Sequence, residues 1–231
     1  MMKKMMKTTC ALAVLAASCN VMAESVDMRV TGAVTPIACK PMLSDNGVVD
    51  LGELNTNMLK KDEVTIFQPK RINLTIDCTA PAKISLLATS ARPGTTLGAA
   101  DEGPTGATKP IINPGLRNGG GVAGLGMDGD KKIGAYGLNI WNMVMDGVTG
   151  SGVKSSDKKS WNDWYANTFF SDFGVYKYVS WRKAGSEMAP SAFKNLTAEI
   201  EVVGYINKAS ELDLTKPIKL DGQTNFEMFY L

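Results

Sequence analysis

The stretch INLTIDC, residues 72–78, sets Ile72, Leu74, Ile76 and Cys78 at every second position. Alternation at period two sends successive side chains to opposite faces of a strand, so one face carries three aliphatic groups and a sulfur. The sulfur therefore points into a core. A chain with such a strand must build a sheet around it and place a second layer over its apolar face.

Whether that sulfur is crosslinked depends on the compartment, and the first residues decide it. MMKKMMKTTCALAVLAASCNVMA has Lys3, Lys4 and Lys7 at its start, an apolar run over 10–17 and a small residue closing VMA. This is the layout of a secretory signal peptide, residues 1–23, cleaved after Ala23. The run is too short to span a bilayer. A competing reading places a lipid-modified cysteine at Cys19, but Ala16 stands where an aliphatic residue is expected there. Cleavage leaves residues 24–231 as a single domain in an exported chain bound for the periplasm or the cell surface, without a transmembrane segment. Removing three lysines takes the formal net charge from +2 to −1, so no nucleic acid partner is expected. Cys10 and Cys19 leave with the signal; Cys39 and Cys78 remain. In an oxidising compartment they form one disulfide. Closing a loop of about 40 residues is worth about 4 kcal/mol in the chain-entropy picture.

Strand patterns fill the mature sequence. MRVTGAV (28–34) alternates Met28, Val30, Gly32 and Val34, and GVVDLGEL (47–54) follows the turn signal Ser44-Asp45-Asn46-Gly47. AKISLLA (82–88), IGAYGLNIWNMVMDGV (133–148), NLTAEIEVVGYI (195–206) and the terminal TNFEMFYL (224–231) follow, and Asp146-Gly147 marks a hairpin turn. Residues 92–132, which include NGGGVAGLGMDGD, read as a glycine-rich loop insertion without a packed element of its own. No sustained helical periodicity occurs. The expected fold is all-β, a sandwich.

Motifs of chemistry are weak by comparison. Gly119-x-Gly121-x-x-Gly124 matches a dinucleotide fingerprint as a string, but its flanks are more glycine and an acidic turn, so a flexible loop is expected. Three overlapping Ser-x-x-Lys matches over 151–159 reflect one Ser/Lys-rich loop. Asp128 and Asp130 offer too few carboxylates for calcium and read as a turn. Histidine is absent, which removes His-based triads, bases and ligands. No enzyme, no cofactor and no metal are expected. Nine of the seventeen aromatic residues fall within 161–181, so the segment either packs as core or exposes a binding face at Trp161, Trp164 and Tyr165.

VTGAVTPIACKP, GVVDLGEL and INLTIDC together resemble the opening of fimbrial (pilin) subunits of the chaperone-usher type. The whole mature chain resembles an enterobacterial family of probable β-fimbriae major subunits, the GltF-like periplasmic proteins. That resemblance implies an immunoglobulin-like, pilin-type β-sandwich with a disulfide Cys39–Cys78. It implies a groove beside the last strand lined by Phe226, Met228, Tyr230 and Leu231, which a periplasmic chaperone and then another fimbrial subunit fill by β-strand addition. The possible donor strand carries Val26, Met28 and Val30, with Val30 already entering the sandwich. The implied function is a secreted fimbrial-like structural subunit. The alternative, suggested by the short N-terminus and the long middle, is a self-complete monomeric periplasmic binding or regulatory protein.

Overall fold

The computed structural model describes residues 26–117, 119–164 and 167–231; the signal-peptide segment and Tyr165 lie outside the described residues. Two compact units are distinguished, Met1–Thr35 and Pro36–Leu231. In the first, residues 26–35 form no strand and every one is exposed. The strand expected over 28–34 is therefore not formed, and Val30, at 86% exposure, does not enter a sandwich. Its alternation is intact, but an isolated strand has no partner for its backbone groups.

The second unit is all-β. In chain order its strands are β1 (Cys39–Leu43), β2 (Thr65–Ile66), β3 (Lys70–Ala82), β4 (Ile84–Ser90), β5 (Ala107–Thr108), β6 (Val122–Gly124) and β7 (Met127–Asp128). They continue as β8 (Lys131–Lys132), β9 (Gly134–Met145), β10 (Val148–Ser155), β11 (Asn162–Asp163), β12 (Tyr178–Lys183), β13 (Phe193–Ile206) and β14 (Thr224–Tyr230). A single antiparallel path, β1-β3-β13-β9-β10-β12-β4-β14, curls into two layers. The chain changes layer at two places. Lys83 alone separates β3 from β4, and β10 pairs with β9 through Val148 and Thr149 before pairing with β12 through 150–155.

Sequence alternation accounts for the core. Ile72, Leu74, Ile76 and Cys78 of β3 face Ile84, Leu86 and Ala88 of β4 in one cluster with Leu196, Ala198 and Ile200 of β13. Cys39 and Cys78 are bonded and lie directly opposite in the β1/β3 register. On β9 the inward set is Tyr136, Leu138 and Ile140, then Met143 and Met145. The phase changes at Asn142, whose φ of 51° marks a bulge opposite the register shift between Thr197 and Glu199. Asp146 and Gly147, both at positive φ, form the tight β9/β10 turn read from the sequence.

The glycine-rich insertion differs from its expectation. Residues 92–132 contribute β5 to β8, and Ala107, Leu116, Val122, Ala123 and Leu125 are buried. Leu116 and Val122 form a second apolar cluster with Ala135, Val203 and Tyr205, covering the outer face of β9 and β13. That covering explains why Gly134 to Ile140 is buried on both faces. The glycines serve density here: a Cβ on Gly121 would overlap the carbonyl of Ser171, and one on Gly124 would overlap Thr95. No helix opens after Gly124, so the dinucleotide geometry is absent from this segment.

Candidate functional site

The path of strands has two ends, β1 and β14. Each pairs on one side only, β1 with β3 and β14 with β4, and no pairing joins them. Between them the sandwich is open along an apolar slot. At the β1 end it is a cavity of about 410 Å³ walled by Pro41, Leu43, Leu74, Leu86 and Phe226. Leu43, Gly47 and Phe226 also line a larger cavity of about 570 Å³, floored by Ile72, Leu138, Ile200 and Val202. The two cavities adjoin at these shared residues and together form the groove region.

Its walls are irregular chain. One wall is 47–52. GVVDLGEL was expected to be a strand; residues 48–54 form none, although Val49 and Leu51, in one phase, and Leu54, one position out of it, pack half-buried against the core. Val49 and Leu51 keep the alternation, but no strand among the described residues pairs with this segment. The other wall is the end of the crossover from β13 to β14, where Ile218 and Leu220 turn inward. Arg92 holds this crossover with two hydrogen bonds to Asp221, at 2.8 and 2.9 Å, and the Asp221 amide donates to Leu125 O at 2.9 Å. The insertion thus fixes one wall of the groove.

Electrostatically the groove is nearly neutral. Tyr136 donates or accepts at Thr224 Oγ1 over 2.7 Å, and burial pushes its phenol up to about 12, so it stays uncharged. Asp50 is the charged side chain on the rim, and it is turned to the amide of Gly52 at 2.8 Å. Such a surface suits an uncharged apolar occupant and disfavours an ion.

On β14, Phe226 and Met228 are half-buried and pack on the core. Tyr230 is in phase with them but half-exposed, and its hydroxyl accepts the amide proton of Cys39 at 2.7 Å. Leu231 is also exposed, its amide bonded to Lys83 O at 3.0 Å. Sequence reading named β14 but missed Leu43, Leu74 and Leu86 as the facing wall; for Leu43 and Leu74 their alternation with Cys39 and Cys78 was the available signal.

The aromatic segment divides: Trp164, Phe169, Phe170 and Trp181 are core, whereas Phe173 and Tyr176 are exposed. Trp164, at 1% exposure, stacks edge-on with Phe169, which meets Phe226 at 4.9 Å between ring centres, and Trp164 is therefore not on a binding face. Trp161 is half-buried. Lys177 is buried beneath this segment and donates to Phe170 O at 2.6 Å and Thr168 Oγ1 at 3.0 Å. Burial, with repulsion from Lys154, pushes its amine down to about 7. Asp128 and Asp130 sit at the β7/β8 turn, and Asp128 accepts the Asp213 amide at 2.9 Å. Among the described residues no cluster of three or more metal-ligating side chains occurs, and no helix is long and apolar enough to cross a membrane.

Residues 28–137 match a family described as protein of unknown function (DUF1120). Two Escherichia coli (strain K12) proteins are similar over nearly the whole chain. Uncharacterized protein YhcF is 28% identical over 221 residues, covering 90% of each chain. Protein GltF is 26% identical over 246 aligned positions, covering 96% of this chain and 95% of its own. The family match spans the exposed segment 28–35, β1 and the 47–52 wall, and ends within β9, short of β14.

Proposed function

We propose that this chain is an exported, non-catalytic structural subunit of a fimbria-like assembly, put together through a periplasmic chaperone and an usher by insertion of a strand from a neighbouring subunit. The observation that carries this reading is the open slot between β1 and β14. It has an apolar floor, one wall made by the end of the crossover running into β14, whose outer edge is unpaired, and the other by 47–52, a segment without a strand partner. An inserted strand pairs with β14 on one side and gives 48–54 a partner on the other. A suitable donor is present in the same sequence. Val26, Met28, Val30, Gly32 and Val34 alternate through 26–34, all exposed and unpaired. The disulfide is compatible with export, and covering an exposed edge removes its aggregation hazard.

The test is a synthetic peptide of residues 24–36 added to the purified mature chain. At about 100 times its dissociation constant it raises the unfolding midpoint by roughly 5–10 °C. A peptide of the same composition with its alternation scrambled does not. No shift with either peptide, together with monomers only in unheated denaturing gels, overturns the reading.

One observation favours a second reading, a self-complete binding protein: the 570 Å³ cavity is large enough for a small apolar molecule. In that case an environment-sensitive apolar dye binds the monomer and the peptide fails to displace it.

A further inference from the structure

The slot is not equally open along its length. At Leu43 and Phe226 its sides are separated by the 410 Å³ cavity, whereas at Cys39 and Tyr230 they are joined by a hydrogen bond of 2.7 Å. Tyr230 shares the inward phase of Phe226 and Met228, yet its side chain crosses from β14 to the first residue of β1. A strand running between β1 and β14 would need one strand spacing on each side, about 10 Å in all. The ring of Tyr230 lies across that course.

We propose that Tyr230 is a removable bar across the groove: its bond to the Cys39 amide holds the disulfide end shut, and the ring swings out when a strand pairs along the full length of β14. This rests on the strand-acceptor reading and adds a closed state to it. Three features make the bar workable. Cys39 is fixed by its crosslink to Cys78, so the acceptor of the bar's force does not move with β1. Tyr230 is 51% exposed, so its ring has solvent to swing into. Leu231 is anchored to Lys83 O, so β14 stays paired to β4 when the ring leaves. The amide of Cys39 needs a new acceptor once the phenol departs, and the backbone of the incoming strand offers one.

The mature chain, disulfide intact, is mixed with a fluorescent peptide of residues 24–36, and uptake is followed by anisotropy. Tyr230→Phe keeps the ring and removes the hydroxyl, and its uptake is faster by several-fold to about tenfold, the worth of one hydrogen bond in the closed state. NMR of the unmodified chain supplies a second readout that does not depend on the variant folding. In the complex the Cys39 amide resonance shifts and the Tyr230 ring loses its contacts to residue 39. Equal uptake rates for the two proteins, or a Tyr230 to residue 39 contact that persists in the complex, overturns the bar. Absence of peptide binding by both proteins overturns the strand-acceptor reading itself.

Discussion

Lys177 is the residue whose placement is least expected from its type. A lysine is almost never buried without an acidic partner, yet among the described residues its ammonium hydrogen-bonds to a carbonyl and a hydroxyl, with Asp172 as a weaker attraction and Lys154 as a repulsion. Burial lowers its pKa to about 7, against about 10.4 in the unfolded chain. Between those values the unfolded state binds the extra proton, so stability rises with pH from about 7 to about 10, with a limiting slope near 1.4 kcal/mol per pH unit. Below pH 7 the penalty for carrying the charge is fully present. Urea unfolding between pH 6.5 and 9.5 shows this rise in the natural protein, and Lys177→Met flattens it. A slope unchanged by the substitution removes Lys177 as its source. Nothing in the sequence marks this lysine, because its burial is set by how the chain from Thr168 folds back along β9.

At the scale of elements, the legible parts were those whose pattern and partner coincide. β3, β9, β13 and β14 were all visible as alternation, and their partners lie beside them in the sheet. Two segments read as strands from shorter or sparser alternation, 28–34 and 48–54, form none, since a strand requires a neighbour and the sequence does not say whether one exists. The insertion misled for a different reason. Glycine marks both loose chain and chain that must pass close to other backbone, and composition does not separate the two. Gly119 and Gly121 make the contrast testable. Gly119, at φ +76°, has open space where a Cβ would go, whereas Gly121 abuts the backbone of Ser171. Gly121→Ala costs about 1–3 kcal/mol through overpacking, and Gly119→Ala costs about 1 kcal/mol or less through its positive φ alone. Equal and negligible losses in thermal unfolding would restore the picture of a slack loop.

For the whole molecule, the two changes of layer, β3 to β4 and β9 to β10, lie along the path while its ends are linked by the hydrogen bond between Tyr230 and Cys39. Stability is therefore unevenly shared. β13 is paired on both sides and buried at Leu196, Val203 and Tyr205, so its amides open only with global unfolding. β14 is paired on one side, with Phe226 and Met228 only half-buried over the groove, so its free edge exchanges by local opening. Hydrogen exchange on the isolated mature chain accordingly protects β13 and β9 most and β14 and β1 least. The disulfide restrains β1 at Cys39 but not at Leu43, so protection within β1 falls toward the groove. Adding the 24–36 peptide then raises protection in β14 and, separately, in 48–54, where no strand exists beforehand. A small apolar ligand in the same cavity would stabilise the floor residues of β3 and β13 without giving 48–54 backbone partners. Protection gained at 48–54 is thus the measurement that separates an inserted strand from a bound molecule, and its absence on saturation with peptide counts against strand pairing along that wall.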